Sequence, residues 1–149
     1  MTTKAVDARR AWLAISRLFL SSDNQDRFHL ACAAAGLPHP GSLKALLSID
    51  VEAAPPMRTV AEHLDCDASY VTALVDALEE LGYVARRASD TDRRVKLVEL
   101  TAQGRKAKER ALEVLLAPPP SLEALTATEL RTLAQLLERV ASDYPPVPS

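Results

Sequence analysis

The sequence predicts a mainly α-helical protein that carries one small β-hairpin. The 149 residues are 48% apolar but only 4% aromatic, and Ala and Leu, both strong helix formers, dominate the apolar set. Apolar residues recur at helical spacing in most segments, whereas two short segments after Gly82 have the character of strands. A chain of this length suits one compact domain or one protomer of an oligomer.

Three helices are expected in the first third of the chain. The first covers about residues 6–20 and has a wide apolar face. The polar segment Ser21–Asn24 breaks it, and a second helix covers about residues 25–35 and ends at Gly36. After a proline-rich turn, residues 42–49 form the third helix, with its leucines directed inward.

Two short helices then follow each other closely. They cover about residues 58–64 and 68–81, and Asp65, Cys66 and Asp67 join them. A joint of about three residues between short helices is typical of a helix-turn-helix. Asp67 is a good N-cap for the second helix, and we expect Cys66 to be buried in the turn as a small apolar residue.

The hairpin and two further helices complete the predicted order. Strands at about residues 83–87 and 95–100 flank a polar tip that has no glycine, which predicts a loop held by side chains rather than a tight turn. Thr101 caps a helix that the prolines at 118–120 stop near residue 116. Thr126 and Glu129 form a capping box that starts the last helix at about Ala127.

Charge is distributed unevenly along the chain. The net charge is −2, yet eight basic and only three acidic side chains lie between Tyr83 and Lys108. The basic residues are Arg86, Arg87, Arg93, Arg94, Lys96, Arg105, Lys106 and Lys108. This asymmetry predicts a localised anion-binding surface around the hairpin.

The second helix of the pair has the pattern of a recognition helix. Its inward face carries Val71, Leu74, Val75 and Leu78. The N-terminal part of such a helix enters the major groove, which makes Ser69, Tyr70, Thr72 and Ala73 candidates for contacts with base edges. Asp76 and Glu80 lie further along and would repel phosphates, so we expect the helix to tilt away from the backbone there.

The ordered set of motifs from Met57 to Arg105 resembles the MarR family of transcriptional regulators. The set comprises the helix pair, the run Asp76–Val84, the tip Asp92-Arg93-Arg94, and the run Leu100–Arg105. The resemblance implies a winged helix-turn-helix, a homodimer formed through the terminal helices, and a pseudo-palindromic DNA site. It also implies that Asp92 fixes the wing through an ion pair with a nearby arginine, and that Arg94 contacts the minor groove or the backbone.

The chain departs from the family pattern at three places. Asp65 stands where many relatives have glycine, but aspartate tolerates the left-handed conformation. Ala73 stands where relatives often carry arginine or another polar residue that contacts bases. Sequence-specific contacts are therefore expected to depend more on Ser69, Tyr70 and Thr72. The prolines at 118–120 shorten the long helix typical of the family, so the dimer interface is expected to be locally unusual.

These observations predict one MarR-like domain over residues 1–149. The winged helix-turn-helix lobe would cover 38–104, the dimerisation helices 5–36 and 105–142, and a disordered tail 143–149. The candidate DNA-binding residues are Arg58, Ser69, Tyr70, Thr72, Ala73, Arg86, Arg87, Asp92, Arg93, Arg94 and Lys96.

Family members often respond to small aromatic ligands or to oxidants. Trp12, Phe28 and His39 are candidate effector contacts, with the alternative that the aromatic residues are interface core and the histidine is solvated. A sensor thiol needs a lowered pKa and access to solvent, and Cys32 has no arginine or lysine one helical turn away on either side.

Several functional classes are disfavoured by the sequence. It has no nucleophile–base pair, glycine-rich phosphate loop or paired-carboxylate motif, so we expect no enzyme. Metal-ligand spacing is lacking, and we expect neither a metal nor a cofactor. With no apolar run long enough for a membrane span and no signal peptide, the protein is expected to be cytosolic. The alternative to DNA binding is a winged helix that contacts other proteins.

Overall fold

The computed structural model describes residues 2–144, which form seven α-helices and one antiparallel hairpin. The elements are α1 Thr3–Phe19, α2 Ser22–Ala34, α3 Pro40–Ser48, α4 Met57–Leu64, α5 Ala68–Glu80, β1 Val84–Ala88, β2 Lys96–Leu100, α6 Ala102–Leu115 and α7 Ala127–Ala141. The predicted class, mainly helical with one hairpin, is confirmed. No helix within the described residues is long and apolar enough to cross a membrane.

The helix boundaries follow local capping chemistry. The break between α1 and α2 is tighter than the predicted four residues, because the Ser21 hydroxyl accepts the Asn24 amide at 3.3 Å and starts α2 at once. The capping box of Thr126 and Glu129 forms as predicted. A 3-10 helix at Pro120–Ala124 was not predicted. The predicted disordered tail, apart from Asp143 and Tyr144, lies outside the described residues.

The core lies between α2, α3, α5, α6 and the hairpin. The four inward residues predicted for α5 are all buried, and α5 packs against α3 and α4. Residues from α2 and α6 belong to the same core, among them Ala31, Cys32, Ala107 and Ala111. Helix α5 is therefore packed on a base that includes α2 and α6, segments predicted from the sequence to serve dimerisation.

Cationic side chains of α6 fasten it to the C-terminal ends of two earlier helices. Arg110 Nε donates to the Ala34 carbonyl at 2.9 Å, and Lys108 Nζ donates to the Ile49 carbonyl at 3.0 Å. Arg105 Nη1 donates to the Val51 carbonyl at 3.0 Å. Cations at helix C-termini satisfy carbonyls that lack partners within the helix. Burial lowers the pKa of Lys108, and nearby Asp50 partly opposes this.

This arrangement corrects the predicted anion-binding surface. Lys108 is buried and Arg105 is half-buried, and the hydrogen bonds of both go to backbone carbonyls. The prediction from the sequence had included both residues in that surface. The exposed basic surface is consequently smaller and centred more closely on the hairpin.

The base of the hairpin is fixed at both of its strands. The Tyr83 hydroxyl donates to the buried Ala35 carbonyl at 2.7 Å. Gly104 must be glycine, because a Cβ there would overlap the Tyr83 carbonyl oxygen. On the other strand, the Val98 amide donates to the Pro55 carbonyl at 2.9 Å. The hairpin therefore leaves the lobe in a defined direction.

The two terminal helices behave differently from the rest of the fold. Neither α1 nor α7 contains a buried residue, although both carry large apolar side chains. Those exposed by more than half are Trp12, Leu13, Leu18, Phe19, Leu136 and Val140. Large exposed apolar side chains in this number are typical of a surface that another chain covers.

Candidate nucleic-acid interface

The turn between α4 and α5 depends on a left-handed residue. Asp65 has φ 49° and ψ 46°, so the prediction that aspartate takes this conformation is confirmed. Asp67 occupies the N-cap position of α5, but its side chain makes no capping hydrogen bond. The prediction that Cys66 is buried is wrong: its side chain is exposed, and Leu64 packs against the core from this end of α4 instead.

The exposed face of α5 presents short side chains. Ser69, Thr72 and Ala73 are exposed, and the Thr72 hydroxyl donates to the Ala68 carbonyl at 2.8 Å. Because that proton is engaged within the helix, Thr72 is left with acceptor lone pairs and a methyl group. Tyr70 is 48% exposed, and its hydroxyl lies so close to Gly41 of α3 that a Cβ there would come within 2.5 Å of it. Tyr70 therefore extends toward α3.

The acidic part of α5 is joined to the first strand through Arg86. Arg86 Nη2 lies 2.6 Å from Asp76 Oδ1, and Arg86 Nη1 lies 2.6 Å from Glu79 Oε2. The Arg86 amide also donates to Glu79 Oε1 at 3.2 Å. The expected repulsion between Asp76 and phosphates therefore needs correction, since Arg86, shared with Glu79, already offsets part of that negative charge. Glu80 is exposed and forms no ion pair within the described residues.

The wing tip is ordered by its own side chains, as its lack of glycine predicted. Asp92 Oδ1 accepts the Arg94 amide at 3.0 Å and lies 3.3 Å from Arg94 Nε. The Ser89 hydroxyl accepts the Thr91 amide at 3.3 Å, and the Ser89 amide donates to the Val95 carbonyl at 2.9 Å. The ion pair that the resemblance implied for Asp92 is thus formed with Arg94, whose side chain remains 93% exposed.

The other cations of this surface, in the wing and at the start of α4, differ in how firmly they are held. Arg93 and Lys96 are exposed and form no ion pair within residues 2–144. Arg87 lies 3.4 Å from Glu99 and 3.6 Å from Asp90. Arg58, at the start of α4, is 88% exposed and lies 3.4 Å from Glu62. The positive charge of this surface that no ion pair holds is therefore at Arg93 and Lys96, and beside them Arg94 is 93% exposed despite its pair with Asp92.

The candidate effector residues lie in three separate settings. Trp12 is 67% exposed on α1, and Phe28 is half-buried against the core. His39 is the N-cap of α3, where its Nδ1 accepts the Ser42 amide at 3.4 Å. One cleft lies on α7 and another, of about 690 Å³, lies beside the helix-turn-helix, and neither is lined by these three residues.

The two cysteines also have distinct environments. Cys32 is 5% exposed, and burial raises the pKa of its thiol. Cys66 is exposed in the turn and donates weakly to the Leu64 carbonyl at 3.2 Å. Within the described residues no group of three metal-ligating side chains comes together.

The sequence prediction missed the group formed by Asp76, Glu79 and Arg86. Two signals were present. Alternation along β1 places Arg86 on the same side as buried Val84, and Asp76 and Glu79 are spaced to share one face of α5. What the sequence does not show is that this face of α5 meets this side of the strand.

Comparisons with known proteins agree with this architecture. Residues 40–96 match the model of the MarR family. YusO from Bacillus subtilis is 24% identical, with 97% of this chain and 100% of that chain covered and a TM-score of 0.70. CouR from Rhodococcus jostii RHA1, solved bound to p-coumaroyl-CoA, is 26% identical, with 90% and 93% covered and a TM-score of 0.59.

A further solved structure contains nucleic acid. It is a cysteine-to-serine mutant of MarR from E. coli complexed with operator DNA. It is 28% identical to this chain, with 78% of this chain and 86% of that chain covered and a TM-score of 0.53. No curated protein sequence matches the chain.

Proposed function

We propose that this chain, whose lobe at residues 40–96 is of the MarR family, acts as a homodimeric repressor on a pseudo-palindromic DNA operator. MarR-family proteins are DNA-binding transcriptional regulators rather than enzymes, and this chain is such a regulator. The observation that carries the proposal is the exposed cationic wing tip beside a helix-turn-helix on a rigid lobe. The repressor role and the pseudo-palindromic operator are proposed in addition to DNA binding.

In the proposed complex, α5 enters the major groove and the wing follows the adjacent backbone or minor groove. Base edges would be contacted by Ser69, Thr72 and Ala73, whose short side chains suit thymine methyl groups and single hydrogen bonds. Phosphates would be contacted by Arg58, Arg87, Arg93, Arg94 and Lys96. Tyr70 and Asp92 would support the helix and the wing from within the lobe.

The terminal helices support the proposal of a homodimer. Their apolar side chains are left exposed in one copy of the chain, and burying them would gain about 25 cal/mol for each Å² of apolar surface. Sedimentation equilibrium tests the dimer directly. Replacing Leu136 and Val140 with aspartate is expected to give a monomer that retains its helical circular dichroism; a wild-type chain that sediments as a monomer would contradict the proposal.

The DNA-binding proposal is tested by a gel shift on the region upstream of the chain's own gene. We expect binding at low salt that weakens steeply as salt rises, and a broad loss of affinity for Arg94→Ala because the exposed guanidinium is removed. The matched control is Lys44→Ala, which removes one exposed positive charge from α3. Absence of any shift at low salt would favour the alternative, a winged helix that contacts other proteins.

We also propose that a small aromatic ligand releases the protein from DNA. The support is CouR, a relative solved with an aromatic acyl-CoA, together with Trp12 and Phe28 near the predicted interface. Thermal-shift measurements with p-coumaroyl-CoA and simple aromatic acids test it, since any ligand of the native state raises the melting temperature. A ligand that binds without weakening DNA binding would contradict the proposed release.

A further inference from the structure

Arg86 belongs to the basic hairpin by sequence, but its guanidinium is already occupied. One terminal nitrogen lies 2.6 Å from Asp76 Oδ1 and the other lies 2.6 Å from Glu79 Oε2. The first of these nitrogens also lies 3.5 Å from the Thr72 carbonyl. The Arg86 side chain is only 23% exposed, against 93% for Arg94.

The register of the hairpin explains this orientation. Arg86 pairs with Val98, and its neighbours on the same side of β1 are Val84 and Ala88. Val84 and Val98 are buried, so this side of the hairpin faces the lobe. Arg87, one residue later, points to the opposite side, where it pairs with Glu99. Strand alternation thus gives two consecutive arginines different surroundings.

The carboxylates that Arg86 holds lie on the exposed side of the recognition helix. The side chains of Asp76 and Glu79 remain 54% and 41% exposed. Without a partner, two negative charges would stand on the helix that approaches DNA, in a surface whose affinity depends on attraction to phosphates. The contact also ties the wing to α5 through charge-assisted hydrogen bonds and through the Arg86 amide.

We propose that Arg86 is a positioning residue for DNA binding: it fixes the wing relative to the recognition helix and offsets one of the two negative charges it holds there, without touching DNA itself. This inference rests on the proposed DNA-binding function. It reassigns one of the residues that the sequence placed in direct contact with DNA. It also predicts that the contribution of Arg86 to DNA binding depends mainly on its two acidic partners.

A double-mutant cycle tests that dependence. Arg86→Ala is made in the wild-type background and in an Asp76→Asn, Glu79→Gln background, and the affinity for a fluorescent mixed-sequence duplex of about 30 bp, long enough for two half-sites, is measured at low salt. In the wild-type background we expect a loss of about tenfold, and in the neutral background a change of less than about threefold. An equal loss in both backgrounds would mean that Arg86 contacts DNA directly and would overturn the inference.

Arg87→Ala is the matched control, since it removes the same charge from the opposite side of the strand. Its effect on affinity is expected to be the same in both backgrounds, because Asp76 and Glu79 do not hold it. If the loss of affinity on Arg87→Ala also disappears in the Asp76→Asn, Glu79→Gln background, then the double substitution compensates through net charge in general. That outcome would contradict the inference.

A measurement without DNA separates this inference from the proposed function. Amide hydrogen exchange in residues 84–100 is expected to quicken more in Arg86→Ala than in Arg87→Ala, which loses only contacts within the hairpin. The unfolding midpoint is monitored by circular dichroism in both. A wild-type protein that binds no duplex would refute the proposed function even if this exchange effect appears. Unchanged exchange in Arg86→Ala, in a protein that does bind, would refute the tie between the wing and α5 alone.

Discussion

The recognition helix and the wing lie next to each other but are built in opposite ways. Helix α5 is fixed by four buried side chains and exposes short residues and carboxylates. The wing tip has little buried surface of its own, is ordered by local hydrogen bonds, and exposes cationic side chains. Because phosphate contacts dominate affinity and base contacts dominate specificity, we infer that the wing supplies most of the affinity. The helix then supplies a limited sequence preference.

Removing the wing's free charge is expected to have the largest effect. Replacing Arg93, Arg94 and Lys96 with alanine should weaken DNA binding by about tenfold per residue, since charge-assisted hydrogen bonds contribute about 1.5–3 kcal/mol each. The slope of log affinity against log salt should fall by about 2–3. Fluorescence anisotropy over a salt series measures both quantities.

The control removes Lys4, Arg9 and Arg10 from the exposed side of α1 and changes the net charge equally. If the control loses as much affinity as the wing variant, overall charge rather than wing contacts governs binding, and the contrast between the two regions disappears.

A long side chain that donates hydrogen bonds from α5 should increase the sequence preference that this helix supplies. Ala73→Arg places a guanidinium on the exposed face of α5, where arginine can contact guanine with two hydrogen bonds that discriminate by about 1–3 kcal/mol. Selection from a random duplex pool should then enrich guanine at one position per half-site. Ala102→Arg, at the start of α6, should enrich nothing; an unchanged consensus for Ala73→Arg would show that α5 does not reach the bases.

Removing the hydrogen bonds that order the wing tip tests whether its order or its charge contributes more to DNA affinity. Asp92→Ala makes the wing more positive but removes the acceptor for the Arg94 amide and guanidinium. We expect affinity to fall by about threefold to tenfold, because the loop must then be ordered on binding, at about 1–2 kcal/mol per residue fixed. Tighter binding by Asp92→Ala would show that charge alone decides, and isothermal titration calorimetry would separate the entropic cost.

The smallest expected effect concerns the helix carboxylate that no arginine holds. Glu80→Gln should tighten binding by about twofold at low salt, because it removes a screened repulsion from phosphates. The effect should disappear at high salt. Glu113→Gln on α6, which removes an exposed carboxylate far along the chain, serves as the comparison in the same competition assay, and an equal gain there would contradict a local role for Glu80.

Much of this fold was predictable because its signals are local. The inward residues of α5, the capping box at Thr126 and the left-handed Asp65 each depend on spacing or on one residue's conformational preference. Residues 40–96 also match the model of the MarR family, which agrees with the resemblance predicted from the sequence. Errors arose where burial had to be inferred for a single position, as at Cys66, whose side chain is exposed.

The sequence by itself determined the order of elements, the helix-turn-helix joint and the concentration of basic residues near the hairpin. Only the tertiary structure decided which of those bases remain free. Arg105 and Lys108 cap distant carbonyls, and Arg86 holds two carboxylates of α5, whereas Arg94 stays exposed. The physical reason is that the role of a charged side chain depends on the groups packed against it in the folded chain. The sequence pattern specifies only which face of its own helix or strand each side chain lies on.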